Sequence, residues 1–175
     1  MAALRIAAGR DTRLPMQIET SQLRIVAPRS RLNFLDIQSV TLARPLTPIQ
    51  TYGHLSGWMA QRFGWAFRVR DALSAPFGVR PIRGFSGRTP AAATEGEKLD
   101  FFLVEQATPE VLVLTERDRH LDVMTCIACS GGHVTITSSV VTHNGFGRLY
   151  MAVVGPAHRV IIRRSLARLK DQANT

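Results

Sequence analysis

Residues 120–145 read HLDVMTCIACSGGHVTITSSVVTHNG and contain two runs of alternating apolar and polar side chains separated by Gly131-Gly132. A glycine pair between two such runs is a strong signal for a two-residue hairpin turn. Ser130 then lies opposite His133, and the same register continues along both strands. The stretch therefore predicts two neighbouring strands of an antiparallel sheet.

The same kind of signal recurs at Asn144-Gly145, which predicts a second hairpin and a strand over 149–154. Further strands are predicted over 34–42, 101–106 and 111–116. The alternation of apolar and polar residues within 34–42 is imperfect, which predicts a β-bulge in this strand. We therefore expect an antiparallel meander with one additional strand that comes early in the chain.

Because successive side chains alternate across a strand, this register sorts the residues onto two faces of the sheet. The nearly all-apolar face collects Leu121, Val123, Ile127, Cys129, Val134, Ile136, Val140, Leu149, Met151 and Val153. The other face collects His120, Asp122, Met124, Cys126, Thr135, Thr137, Ser139, Val141, His143, Arg148 and Tyr150. We expect the C-terminal helix to pack on the apolar face and water to reach the mixed one.

Two helices are expected. Thr47-Pro48-Ile49-Gln50 matches a capping box, and apolar residues at helical spacing follow it, which predicts a helix of about 25 residues. Gly64 weakens this helix, so a break into two helices is an alternative. Gly155-Pro156 predicts the start of the second, C-terminal helix, which extends to about residue 172.

This order of elements predicts an α+β fold of the helix-grip type, in which a curved antiparallel sheet wraps a long C-terminal helix, with one or two helices after the first strand. We assign residues 34–172 to this domain and residues 1–33 to a poorly ordered basic N-terminal extension. The connection over 84–98 is rich in Gly, Ala and Thr and is expected to be mobile.

The chain has 175 residues, with 22 Lys and Arg against 13 Asp and Glu, so its formal net charge is +9. The excess positive charge lies in residues 1–33 and 156–175. It would suit binding to nucleic acid or to an anionic surface. Alternatively, it belongs to a solvated tail and to the solvent-exposed face of a helix. No apolar run reaches membrane-spanning length, and residues 1–10 contain no apolar core of signal-peptide length, so we expect neither a membrane span nor a signal peptide. With two cysteines as well, we expect a cytoplasmic protein without a disulfide framework.

Three motifs carry a resemblance to a known family: DRHLD at 118–122, NGFGRLYM at 144–151 and PAHR at 156–159. Over residues 34–170 the chain resembles a bacterial family of unknown function, sometimes fused behind short-chain-dehydrogenase-like domains, in the START-like, birch-pollen-allergen-like superfamily. The resemblance implies binding of an apolar or amphipathic small molecule, and some members of the superfamily are cyclases. It supplies no catalytic residues.

The candidates for acid–base catalysis are His120, Asp122, His143 and Glu105. The hairpin register places His120 directly across from His143, and Asp122 lies close by, so this set would suit proton transfer, hold a divalent metal or form a structural polar cluster. Glu105 is expected to point at the apolar face, where burial would raise the pKa of its carboxyl group, or else to lie at an edge in water.

A redox or metal site at the two cysteines is not expected. The motif Cys126-Ile-Ala-Cys129 lies inside a predicted strand, where an offset of three sends the two thiols to opposite faces. No dinucleotide-binding glycine fingerprint is present. We therefore predict neither a cofactor nor a metal.

The candidate ligand-binding residues combine large apolar groups, which would line a pocket, with polar groups that would hold an anionic end. They are Trp58, Phe63, Phe101, Met151, Arg148, Tyr150, His158 and Arg159. The apolar members also suit a plain hydrophobic core, and the polar ones suit structural pairing or helix capping.

Three functions follow from these features. The first is an uncharacterised binding protein with a mainly apolar pocket between the sheet and the last helix, open near the 84–98 connection. The second is a cyclase- or hydratase-like enzyme that uses the His, Asp and Glu groups above. The third is an arginine-rich module for nucleic acid or anionic surfaces, of which nucleic acid is disfavoured because no known nucleic-acid motif is present.

Overall fold

The computed structural model describes residues 23–74, 84–87 and 91–173. Its helices are α1 (Pro48–Ser74) and α2 (Gly145–Ala173), and a 3-10 helix covers Arg29–Arg31. Its strands are β1 (Phe34–Thr41), β2 (Lys98–Leu99), β3 (Phe102–Ala107), β4 (Val111–Arg117), β5 (Leu121–Ser130) and β6 (His133–Thr142). Within these residues the strands form one curved antiparallel sheet in the order β1-β6-β5-β4-β3-β2, so the α+β helix-grip prediction is confirmed.

The hairpin between β5 and β6 has the predicted register. Ser130 pairs with His133, and the pairing continues without a shift to Leu121 and Thr142. Both turn glycines have positive φ, 55° at Gly131 and 82° at Gly132, which is the backbone that a two-residue hairpin turn requires.

The β-bulge lies in β3 and not in β1, where it was predicted. Strand β1 pairs with β6 from Phe34 opposite Val140 to Thr41 opposite His133 without interruption. In β3 the register shifts between Val104 and Gln106, which leaves Glu105 as the extra residue.

The predicted hairpin at Asn144-Gly145 is wrong, because α2 begins there. The Asn144 side-chain oxygen accepts a hydrogen bond from the Gly147 amide at 3.0 Å, and the Asn144 carbonyl accepts one from Arg148 at 3.2 Å. Asparagine favours helix N-caps as strongly as tight turns, and here the cap prevails. The predicted strand over 149–154 is therefore the first half of α2, and Pro156 lies inside the helix instead of starting it.

The inner face of the sheet, which carries Ile127, Cys129, Val134 and Ile136, packs against α2 as predicted. Ile162, Leu166 and Leu169 of α2 belong to the same buried cluster as these strand residues. The C-terminal half of α2 is thus held by apolar burial on the sheet.

The outer face of the sheet is buried over part of the area where water was expected. Asp122 and Val141 are half-buried and His143 is exposed, but Met124, Cys126, Thr135, Thr137 and Ser139 contradict the prediction. All five of these residues are buried. A second apolar cluster forms there around Met124 and Cys126, and Val26 packs against it. The Val26 amide also donates a hydrogen bond of 2.9 Å to the Ser139 hydroxyl.

Helix α1 is one continuous helix, so the alternative of a break near Gly64 is wrong. Its capping box forms as predicted: the Thr47 amide donates to the Gln50 side chain at 2.9 Å, and the Gln50 amide donates to the Thr47 hydroxyl at 3.3 Å. A single uninterrupted element therefore covers the sheet on the inner side, beside α2.

Two predicted segments lie partly outside the described residues: the N-terminal extension over its residues 1–22, and the 84–98 connection over its residues 88–90. In the part of the chain that is described, neither helix is long and apolar enough to span a membrane.

Candidate functional site

A groove lies between the first half of α2 and the strand ends that it crosses. Its volume is about 410 Å³. Its walls are formed by Asn33, Phe34, Thr142, Arg148, Met151, Ala152, Gly155, Pro156 and Arg159. The sequence predicts a pocket that opens near the 84–98 connection, but no residue of that connection lines this groove.

Phe34 forms the apolar base of the groove. Its ring is buried, and it meets the edge of the His158 ring with 5.7 Å between the centroids. A β-carbon added at Gly155 would lie 3.1 Å from this ring. The absence of a side chain at Gly155 therefore lets α2 cross directly over the first residue of β1.

Two arginines bring positive charge to the groove. The Arg159 guanidinium lies 4.8 Å from the centre of the Phe34 ring, and its Nε is 3.8 Å from a carboxylate oxygen of Asp36. Its side chain remains about half exposed, at 53%. Arg148 is exposed too, and no ion-pair partner for it is found in the described segments. Both guanidinium groups therefore remain accessible to an anion.

Pro156 adds a polar feature to the same wall. Proline has no amide hydrogen, so it cannot complete the helical hydrogen bond to the carbonyl of Ala152, one turn earlier. Ala152 and Pro156 both line the groove, so this interruption of the helical ladder lies at its surface.

His158 lies beside Phe34. Its Nε2 is buried and has no hydrogen-bond partner among the described residues. Burial lowers the pKa of the imidazole below its ordinary value of 6.5; the negative charge of Asp36 opposes this shift and the positive charge of Arg159 adds to it. We expect His158 to be neutral at physiological pH.

This burial gives a testable dependence of stability on pH. Below pH 6.5 the unfolded chain protonates His158 while the folded protein does not, so the free energy of unfolding should fall as pH is lowered through this range and be unaffected above it. Urea unfolding at several pH values should show a smaller acid loss for His158→Phe than for the wild type. His54→Gln, at an exposed histidine of α1, is the control. Equal pH slopes for His158→Phe and the wild type would contradict this assignment.

His120 is a structural link between β5 and α2. Its Nε2 accepts a hydrogen bond of 2.9 Å from the Arg119 side chain, and its Nδ1 lies 3.0 Å from Nδ2 and 3.2 Å from Oδ1 of the Asn144 side chain. Its ring also packs on Phe146, with 4.8 Å between the centroids. These contacts involve both ring nitrogens in holding the start of α2.

His143 forms its ion pair separately. Its Nε2 lies 3.1 Å from a carboxylate oxygen of Asp122, with the side chains 38% and 26% exposed. The backbone register is as predicted, because the His143 amide donates to the His120 carbonyl at 2.8 Å. The rings nevertheless have different principal contacts, and neither they nor Asp122 contribute to the groove lining.

Glu105 does not point at the apolar inner face, and this prediction is corrected. The bulge in β3 turns its carboxylate toward Thr115 and Arg117 of β4, whose side chains donate to it at 2.9 and 3.0 Å. With these partners, Glu105 is an exposed carboxylate at the surface and not a buried acid.

Neither of the two cysteines lines the groove. Cys126 belongs to the outer cluster and Cys129 to the inner one, which confirms that the thiols lie on opposite faces. Burial raises the pKa of both. Among the described residues, no three His, Cys, Asp or Glu side chains are grouped closely enough to hold a metal ion.

The other predicted ligand-binding residues lie outside the groove lining. Trp58 and Phe63 pack together on α1, with 5.2 Å between their centroids. Phe101 packs on Phe102 at 4.2 Å. Tyr150 stacks with Phe146 at 6.3 Å. The structure therefore brings only Arg148, Met151 and Arg159 of the predicted set to the groove.

Several groove residues were not predicted as site residues, namely Asn33, Phe34, Thr142, Ala152, Gly155 and Pro156. The usable signal was Gly155-Pro156: inside a helix, a glycine permits a close approach and a proline interrupts the hydrogen-bond ladder. It was interpreted instead as a helix start.

Comparison with known families gives one match. The family described as "Protein of unknown function (DUF2867)" matches residues 29–165. Comparison with curated proteins and with solved structures gives no match. The matched region includes β1, the whole sheet and all the groove residues.

Proposed function

Because the chain belongs to the DUF2867 family, whose function is unknown, we propose a function from its geometry: it binds a small amphipathic molecule with a negatively charged end. The observation that carries this proposal is the groove beside α2, which joins two accessible arginines to an apolar base. Its volume of about 410 Å³ falls in the range of small-molecule sites in proteins.

The lining divides into two parts that match the two parts of such a molecule. Arg148 and Arg159 offer guanidinium groups, which bind carboxylate, sulfate or phosphate oxygens through paired hydrogen bonds. Phe34, Met151 and Pro156 offer apolar surface for a hydrocarbon portion. Thr142 also lines the groove, and its hydroxyl oxygen is buried without a hydrogen-bond partner in the described region.

The charge requirement is tested with three probes that share one chain and differ in the head group: decanoate, decanol and decyltrimethylammonium. Titration calorimetry should give the highest affinity for decanoate and the lowest for the cation. Arg148→Gln and Arg159→Gln should each weaken decanoate about five- to tenfold and leave decanol unchanged, because one charge-assisted contact is lost. Arg163→Gln, an exposed arginine of α2 outside the groove, is the control.

The location is tested by filling the groove. Ala152 lines it and is exposed, so Ala152→Leu should weaken both decanoate and decanol by roughly tenfold or more without disturbing the core. Ala157→Leu places the same side chain at an exposed position of α2 outside the lining and should bind normally. Equal effects of the two substitutions, or no binding of any probe to the wild type, would refute the proposal.

The wider placement of the protein is also part of this proposal. The helix-grip order of elements supports membership of the START-like superfamily, and the family resemblance supports a bacterial origin; a cytoplasmic location is proposed from the sequence alone. The division into an extension over 1–33 and a domain over 34–172 stays a prediction. The packing of Val26 on the outer face indicates that the end of the extension contacts the sheet.

A further inference from the structure

The solvent-facing side of α2 carries an apolar stripe. Leu149 is 67% exposed, Val153 70% and Val160 39%. Pro156 and Ala167 are exposed as well, and the five positions follow one another at intervals of four, three, four and seven residues. These intervals place them on one line along the helix, opposite the side that packs on the sheet. The stripe runs along most of a 29-residue helix.

Arginines border this stripe on both sides. The helical spacing places Arg148, Arg159 and Arg163 along one side and Arg164 and Arg168 along the other, and all five are exposed. Between Gly145 and Lys170 the helix contains no Asp or Glu. The outer side of α2 is thus an apolar line within a field of positive charge.

We infer that this side of α2 docks on an anionic lipid surface. An amphipathic helix lying in a membrane interface has an apolar line at the depth of the acyl chains and basic side chains at the depth of the head groups. The charge disfavours the simplest alternative, a second copy of the chain, because two identical stripes would bring their arginines together. The apolar line is not needed for nucleic acid, whose affinity comes from phosphate contacts.

The groove opens on the same helix, since Pro156 of the stripe and the bordering Arg148 and Arg159 also line the groove. Docking on a lipid surface would place its mouth near the source of amphipathic molecules. The link between docking and ligand supply rests on the proposed function, but the docking itself does not. The two proposals can fail separately, because decanoate binding tests the groove and vesicle binding tests the stripe.

The test is co-sedimentation of the whole chain with vesicles of phosphatidylcholine alone, and with vesicles of one part phosphatidylglycerol to two parts phosphatidylcholine. We expect binding to the anionic vesicles only, and its loss in high salt. The double variant Arg163→Gln/Arg164→Gln should bind about thirtyfold more weakly. The variant Leu149→Ser/Val153→Ser should bind about tenfold more weakly.

Two matched controls use exposed residues elsewhere: Arg62→Gln on α1 and Leu103→Ser on β3, where the side chain is 38% exposed. Both should bind like the wild type, and circular dichroism should show that all variants are folded. Equal binding to neutral vesicles, or normal binding by either α2 double variant, would overturn the inference. A dimer in sedimentation velocity that Leu149→Ser/Val153→Ser abolishes, or tighter binding to duplex DNA than to vesicles, would overturn it too.

Discussion

Replacing Gly147 by alanine is expected to lower the free energy of unfolding by about 3 kcal/mol, at the upper end for overpacking. Gly147 lies in the first turn of α2, where its backbone passes the end of β5. An added β-carbon would collide with the carbonyl oxygen of His120 and lie 3.2 Å from the carbonyl carbon. These are backbone atoms, so no rotamer change can relieve the contact. Urea unfolding followed by circular dichroism measures the loss.

Gly64→Ala is the matched control, because it makes the same chemical change inside a helix. No atom lies within 4 Å of a β-carbon added at Gly64, in α1. The alanine should therefore show only its better helix propensity and raise the free energy of unfolding by up to about 1 kcal/mol. Opposite signs at the two glycines are the expected result. Stabilisation by Gly147→Ala would show that α2 does not begin against β5 as described.

Phe34→Ala is expected to have the second large effect, also about 3 kcal/mol, because it leaves a cavity under α2. The ring is 8% exposed, and it contacts Gly155, His158 and Arg159. It is also the base of the groove, so the affinity for decanol should fall along with the stability. Calorimetry with decanol and urea unfolding measure the two effects on one sample.

The control for Phe34→Ala is Ile37→Ala in the same strand. Ile37 is 41% exposed, so its truncation should cost less than about 1 kcal/mol and leave decanol binding unchanged. Phe34→Leu keeps most of the buried volume and should lose less stability than Phe34→Ala. Similar losses for Phe34→Ala and Ile37→Ala would contradict the anchoring role of Phe34.

The sheet could be predicted from the sequence because its signals are local. Between two alternating runs, Gly131-Gly132 favours a two-residue hairpin turn, and the register of β5 and β6 follows from that turn. The start of α2 could not be predicted in this way. Asn144-Gly145 suits a hairpin and a helix cap equally, and the choice is made by contacts of Asn144 and Gly147 with residues around His120, more than twenty positions earlier.

The burial of the outer face was missed for a related reason. Alternation along β5 and β6 shows which residues share a face, but not what covers it, and Val26 comes from far away in the chain. The position of the groove was not predicted, although three of the proposed binding residues lie in its lining. Arg148, Met151 and Arg159 were identified as binding residues, whereas Phe34 was not, because its proximity to α2 depends on the crossing of two distant elements.

The capped start of α2 has a consequence for how the proposed ligand would enter and leave the groove. Asn144 and Gly147 hold one end of the helix against the strand ends, and Leu166 and Leu169 hold the other end in the core. We therefore do not expect α2 to move away from the sheet as a rigid body. Exchange then needs only rotation of exposed or half-exposed side chains such as Arg148 and Met151, which takes nanoseconds. Association should accordingly be a single fast step, without the slow phase typical of proteins with a lid.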